Sequence, residues 1–130
     1  MQIERFEDLT AWNEARALTA LVYRLTKRFM EEDRDLVRQM RRAAVSAMSN
    51  IAEGFSRYTF RDSRQFYITS RASLAELRNQ MYVAIDQGYL AGETIETLER
   101  SIESVGKLTS GLIRNAQQRL EVAAVDRSSL

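Results

Sequence analysis

The chain has 130 residues, of which 45% are hydrophobic and 28% charged, and 19 basic against 18 acidic side chains leave a formal net charge of +1. It contains no cysteine, histidine or proline, which excludes disulfides, thiolate nucleophiles, histidine bases and cysteine- or histidine-based metal sites. The length suffices for one domain with its own core, and the lack of proline favours long helices.

The first half of the chain predicts two helices. Apolar residues recur every three to four positions from about residue 8 to residue 29, which indicates an amphipathic helix. Asp33 is placed to cap the N-terminus of a second helix over 34–57. The middle of that helix is rich in alanine, serine and glycine, so a neighbouring helix can approach it closely.

A third helix is predicted over 60–87, with a sequence signal for its start and another for its end. Thr59 and Asp62 have the spacing of a capping box, with Asp in place of the usual Glu. Gly88 suits the left-handed conformation that commonly ends a helix. Between these signals the apolar residues alternate steps of three and four, as in a coiled-coil seam.

The fourth predicted helix spans 93–122, and residues 126–130 are expected to fray. No segment shows the strict alternation of a half-buried strand. Short connections between long helices make neighbours antiparallel, so residues 1–130 predict a single all-α domain, an up-and-down antiparallel four-helix bundle.

Nothing in the sequence predicts a membrane protein. No run of 18 or more apolar residues is present, and the N-terminal segment is acidic and lacks the apolar stretch of a signal peptide. We therefore expect a cytoplasmic location without membrane contact.

Positive charge is concentrated in the middle of the chain. Residues 34–78 carry nine arginines against four acids, whereas the segments on either side are acidic. The nine are Arg34, Arg38, Arg41 and Arg42 on one side of the second helix, then Arg57, Arg64, Arg71 and Arg78 at intervals of seven, with Arg61 between the first two. Such rows can hold phosphates, and the aromatic residues near one end can stack on bases: Tyr58, Phe60, Phe66 and Tyr67. RNA or DNA is therefore a predicted partner.

Two other interpretations of the arginines remain open. Arginines that flank a helical core often pair with acids on an adjacent helix or a neighbouring subunit, and Glu96, Glu99 and Glu103 form a suitable acidic row. In that case the protein is a structural assembly module. The remaining interpretation is solvated charge without a partner.

Catalytic chemistry has little support in the sequence. The acids of the central helices, among them Glu53 and Glu76, are scattered, and Ser46 and Ser49 have no histidine to activate them. We predict a protein that is not an enzyme and holds no cofactor or metal. The large aromatic residues Trp12, Tyr23 and Phe55 are interpreted as core or interface anchors.

Several strings of residues resemble a known family. They are Phe6-Glu7-Asp8-Leu9 with Trp12, Ala15, Tyr23, Leu25 and Thr26, then Arg41-Arg42-Ala43-Ala44-Val45-Ser46, Ser49-Asn50-Ile51-Ala52-Glu53-Gly54, Ser73-Leu74-Ala75-Glu76-Leu77 and Gly88-Tyr89-Leu90. Together they are similar to the four-helix-bundle proteins encoded in intervening sequences of bacterial 23S ribosomal RNA genes.

The resemblance implies a homopentamer of four-helix bundles with no established catalytic residues and an unsettled cellular role. A group similar in fold, the accessory variability determinants of diversity-generating retroelements, binds nucleic acid and partners a reverse transcriptase, so a reverse transcriptase or a ribosomal-RNA-associated partner is an expectation here. Arg41, Arg42, Asn50 and Glu53, with Gly54 beside them, match motif positions, and the role implied for them is structural or interfacial.

The chain departs from the family pattern in the second helix. Ala47-Met48 stands where Ile-Pro is common. Since proline bends helices, the second helix is predicted to be straighter here.

Overall fold

Four α-helices make up most of the computed structural model, which describes residues 2–128. They are α1 (Thr10–Thr26), α2 (Arg34–Phe55), α3 (Phe60–Asp86) and α4 (Glu93–Ser128). Two short 3-10 turns, Phe6–Asp8 and Lys27–Phe29, flank α1. No strand occurs among the described residues, so the predicted all-α four-helix architecture is confirmed.

The polar caps predicted for α2 and α3 are present. The Leu36 N–H donates to the Asp33 carboxylate at 3.1 Å, and the Asp62 N–H donates to the Thr59 hydroxyl at 3.2 Å. Each bond satisfies an N–H that has no partner within its helix. Gly88 ends α3 with a φ of 78°, and the Tyr89 N–H closes the turn on the Ala84 carbonyl at 2.9 Å.

Asp33 has a second role at the same end of the bundle. Its other carboxylate oxygen accepts a hydrogen bond from the Tyr89 hydroxyl at 3.4 Å, and the Tyr89 ring stacks on Phe29 at 4.8 Å between centroids. Burial, together with the nearby Asp33 carboxylate, raises the pKa of the Tyr89 hydroxyl. The α1–α2 and α3–α4 connections are thereby joined to one another.

Replacing Asp33 with alanine is expected to lower the free energy of unfolding by about 1 kcal/mol, the usual cost of a lost N-cap. Urea denaturation followed by circular dichroism measures the change. Glu32→Ala is the matched control, because Glu32 is exposed and lies next to the cap. Equal losses in the two variants would show that the Asp33 contacts contribute nothing.

Helix boundaries differ from the prediction mainly at the two ends of the chain. The predicted helix over 8–29 is divided, because Leu9 is extended (ψ 128°) and the last turn tightens to a 3-10 turn after Thr26. The predicted ends of α2 and α3, residues 57 and 87, each move inward, to Phe55 and Asp86.

The prediction for the end of α4 was wrong. The helix continues past residue 122 to Ser128, so residues 126–128 are helical rather than frayed, and residues 129–130 lie outside the described part. No glycine or proline follows Gly111, and Ala123 and Ala124 favour helix. The Ser128 hydroxyl also donates to the Ala124 carbonyl at 2.9 Å.

Neighbouring helices in the bundle run antiparallel. Between α1 and α2, Arg41 contacts Thr26 whereas Thr19 contacts Ala44, so the two helices run in opposite directions. Between α2 and α3 the same reversed order joins Ser46 with Ser73 and Gly54 with Ser63. Each helix packs on two others, with α4 closing the ring against α1.

The core contains the predicted apolar face of each helix. Leu18, Val22, Ile51, Leu77 and Leu98 are among its fully buried members. α2 passes through Ala47 and Met48 without a break, and its greater straightness relative to the family stays a prediction. No helix in the described range 2–128 is long and apolar enough to span a membrane.

Candidate nucleic-acid interface

The nine predicted arginines do not form one surface. Arg34, Arg38, Arg41 and Arg42, here called the α2 cluster, line a groove between α1 and α2. Arg71 and Arg78, the α3 pair, line a different groove between α3 and α4. The structure therefore brings together the four arginines of α2 and separates them from the row predicted along α3.

The groove between α1 and α2, called the α1/α2 groove below, combines positive charge with an apolar surface. It has a volume of about 410 Å³, and none of the described residues that line it is acidic. Besides the α2 cluster it is lined by Tyr23, Met30, Val37 and Val45. Such a groove attracts an anion and also offers apolar contact to whatever carries the charge.

Arg41 is the most constrained member of the α2 cluster. Its Nε donates to the hydroxyl of the buried Thr26 at 2.9 Å, and Nη2 donates to the Tyr23 carbonyl at 3.4 Å. The guanidinium carbon lies 4.5 Å from the centroid of the Tyr23 ring. These contacts hold a flat cation over a flat ring at the wall of the groove.

The other three arginines of the α2 cluster are exposed. Arg34 has Glu31 at 3.6 Å, but both side chains are more than two-thirds exposed, so this ion pair contributes little. Asp35, the other nearby acid, accepts a hydrogen bond from Gln39 at 2.9 Å. The positive charge of Arg38 and Arg42 is thus available to a ligand.

The α3/α4 groove differs because acids accompany its basic residues. Arg71, Arg78, Lys107 and Arg114 line it together with Glu103, around about 650 Å³. Arg78 pairs with Glu99 at 3.4 Å, and Lys107 pairs with Glu103 at 3.2 Å. Glu99 and Glu103, two members of the predicted acidic row, therefore neutralise part of the positive charge at the α3 pair. The third member, Glu96, is exposed.

The remaining arginines lie at or near the α2–α3 turn. Arg57 pairs with Glu53 at 3.0 Å and covers the Phe66 ring at 4.3 Å, so both charge and ring already have partners. Arg61 is exposed in the first turn of α3. The Nε of Arg64 is buried and makes no hydrogen bond with any described residue.

The aromatic residues predicted to stack on bases are mostly occupied. Tyr67 is buried, which raises the pKa of its hydroxyl, and Arg119 lies over Phe60 at 5.4 Å. Tyr58 is fully exposed at the turn. The aromatic residue that joins the arginines is Tyr23, which is 40% exposed beside the α2 cluster. It is therefore not a core anchor, and its role as an interface anchor stays a prediction.

The sequence contains a signal for Tyr23, although a weak one. It lies directly after the buried pair Leu21 and Val22, at the edge of the apolar face of α1. A residue at that edge meets the flank of the next helix, and the antiparallel pairing of α1 with α2 places Arg41 there.

The motif residues Asn50 and Gly54 belong to the contact between α2 and α3. Asn50 Nδ2 donates to the Ser46 carbonyl at 2.8 Å, and the Ser46 hydroxyl meets the Ser73 hydroxyl at 2.8 Å. A Cβ at Gly54 would lie 2.5 Å from Cε1 of Tyr67 and 3.1 Å from the Ser63 carbonyl oxygen. The close helix approach predicted from small residues is therefore present, and Gly54 is part of it.

Acidic side chains do not gather into a recognisable metal site in the part of the chain that the structure describes. Among residues 2–128 no three or more of the acids lie close enough together to hold a metal ion. Glu53, the predicted motif acid, is exposed and paired with Arg57.

Comparison with known proteins gives a family and a fold. The family model described as 23S rRNA-intervening sequence protein matches residues 7–111. The chain is also similar to the crystal structure of a protein with unknown function from the S23 ribosomal protein family of Bacteroides thetaiotaomicron, with a TM-score of 0.75 at 17% identity over 80% of this chain and 98% of that one. No curated protein sequence matches the chain.

Proposed function

Because this chain belongs to the 23S rRNA-intervening sequence protein family and carries a groove whose described lining residues include four arginines and no acid, we propose that it is a non-enzymatic, oligomeric protein that binds RNA or DNA. The observation that supports the proposal is the α1/α2 groove, where four arginines face solvent or line the wall without an acid among the lining residues. The α2 cluster is the binding surface in this proposal.

Electrostatics explains why this arrangement suits a nucleic acid. Arginine forms bidentate hydrogen bonds with phosphate and stays charged at any physiological pH. Each phosphate neutralised releases condensed counterions, which supplies most of the sequence-independent affinity. The acid nearest to the α2 cluster offsets little of this attraction, because Glu31, 3.6 Å from Arg34, is 82% exposed and exposed ion pairs contribute little.

Assembly is the second part of the proposal. Large apolar side chains remain exposed at one end of the bundle, including Phe60, Val122 and Val125. Such exposure on a small protein is typical of an interaction surface. The resemblance described above implies a pentamer, and the absolute mass measured by light scattering, with and without RNA, tests that number.

A second candidate function is a structural module in which arginines serve only in salt bridges. The pairs of Arg78 with Glu99 and Arg57 with Glu53 favour it, since they already use two of the nine arginines. Among the described residues, the α2 cluster makes no such pair apart from the exposed contact of Arg34 with Glu31. Nucleic-acid binding is therefore the better supported function.

The salt dependence of binding tests the proposal. If the three exposed arginines of the α2 cluster, Arg34, Arg38 and Arg42, neutralise one phosphate each, the logarithm of the association constant should fall against the logarithm of salt concentration with a slope of about −2.7 for duplex or about −2.1 for single strands. Fluorescence anisotropy with a labelled oligonucleotide measures it. A slope near zero, or no binding at low salt, would contradict the proposal.

A further inference from the structure

We infer that the α1/α2 groove takes an unpaired base of single-stranded nucleic acid, which lies against the Arg41–Tyr23 stack while Arg34, Arg38 and Arg42 hold the flanking phosphates. This inference rests on the proposed function and names the class of nucleic acid. Four observations carry it: the apolar lining, the fixed plane of Arg41, the line of exposed arginines and the lack of an acid among the described lining residues.

The apolar residues that line the groove are not required to bind a phosphate backbone, which the arginines alone can contact. Tyr23 and Val45 are 40% and 39% exposed, and with Met30 and Val37 they form the apolar part of the groove. A duplex keeps its bases stacked inside and presents mainly sugar and phosphate to a protein, unless a side chain reads a groove edge. A single strand can turn a base outward onto an apolar or aromatic surface. The apolar lining therefore favours a single strand.

Arg41 contributes a surface rather than a mobile charge. Its Nε and Nη2 are already used by Thr26 and by the Tyr23 carbonyl. A guanidinium held in this way cannot swing out to follow a phosphate, but its plane is fixed against the Tyr23 ring before any ligand binds. Bases stack on aromatic rings and on guanidinium planes alike, and a fixed plane avoids the entropic cost of ordering a side chain on binding.

The exposed arginines run alongside this plane. Arg34, Arg38 and Arg42 are each four residues apart, which places them on one side of α2 along a line about 12 Å long. A line of separate charges beside an apolar groove matches a strand whose bases and phosphates point in different directions. An acidic peptide such as oligoglutamate would pair with the same arginines, but its side chains cannot stack on Arg41 and Tyr23.

The test compares three labelled nucleic-acid probes and one peptide probe by fluorescence anisotropy at one salt concentration. The nucleic-acid probes are a single-stranded RNA of about 12 nucleotides, a length within the usual site size for single strands, the same strand annealed to its complement, and a strand of equal length without bases. The single strand should bind about 10-fold more tightly than either of the others, the effect of stacking one base. Oligoglutamate of similar charge serves as the peptide probe.

Arg41→Lys keeps the positive charge but removes the planar guanidinium group on which a base would stack. It should weaken binding of the single strand by about 10-fold and leave the strand without bases unchanged, because only the stacking contribution is lost. Tyr23→Leu should act in the same way, and it keeps the test valid should Arg41→Lys unfold. Arg78→Lys, on the α3/α4 groove, is the matched control and should change neither affinity.

Each outcome decides the inference. If all nucleic-acid probes bind alike, or oligoglutamate binds as tightly as the single strand, the α1/α2 groove is a general polyanion site and the inference fails while the proposed function survives. If no probe binds, both fail. If Arg41→Lys and Arg78→Lys have equal effects, stacking in the α1/α2 groove is not the cause.

Discussion

Replacing Arg38 and Arg42 together with glutamate is expected to weaken nucleic-acid binding by about 60-fold or more at 0.1 M salt, since each phosphate contact contributes roughly 0.9 logarithmic units there. Both side chains are exposed in the α1/α2 groove. Fluorescence anisotropy over a range of salt concentrations measures the loss. The salt slope should also become shallower by about 1.8 for a duplex ligand.

The matched control reverses the α3 pair, Arg71 and Arg78, which removes the same amount of charge from the other groove. We expect a smaller loss of affinity, because Glu99 and Glu103 already offset the basic residues beside that pair. Equal losses would mean that net charge, rather than the α2 cluster, determines binding. If reversal at Arg38 and Arg42 dissociates an oligomer, as seen by light scattering, the structural-module interpretation gains.

Gly54→Ala is expected to lower the free energy of unfolding by about 2 kcal/mol, the balance of an overpacking cost near 3 kcal/mol and a helix-propensity gain near 1 kcal/mol. The new methyl group would meet the Tyr67 ring at 2.5 Å on one side and the Ser63 backbone at 3.1 Å on the other. The backbone contact limits how far the methyl group can move away from the buried ring. Urea denaturation measures the change.

Gly106→Ala provides a control with the opposite sign. Gly106 is also inside a helix, but nothing lies within 4 Å of the position of its Cβ. The substitution should therefore stabilise the protein by up to about 1 kcal/mol, the difference in helix propensity. If both variants are stabilised alike, the close approach of α3 to Gly54 does not exist in solution.

The helices could be predicted from the sequence because their signals are local. Asp33, Thr59 and Gly88 act on groups within a few residues of themselves, and the apolar spacing depends only on the helical repeat. The end of α4 was missed because the polar residues after Leu120 were given more weight than the helix propensity of Ala123 and Ala124 and the lack of a glycine or proline that would stop the helix. The prediction of a frayed end rested on the short, polar sequence that follows Leu120.

The candidate site was only half predictable, and the reason is geometric. The spacing of Arg34, Arg38 and Arg42 places them on one side of α2, as predicted. Which neighbouring helix that side meets is decided by tertiary packing, so the separation of the α2 cluster from the α3 pair could not be read from the sequence. The same applies to Tyr23, whose exposure depends on the position of α2 beside α1.

The order of the helices around the ring has a consequence for folding kinetics. α2 packs on α1 and α3, and α3 packs on α4, so three of the four helix pairs join segments that are adjacent in the chain. Only the pairing of α1 with α4 closes a long loop. Folding rates rise as contacts become more local, because less chain entropy is lost before each contact forms. We therefore expect the α2–α3 hairpin to form early, and the docking of α1 on α4 to be the slow, entropically costly step.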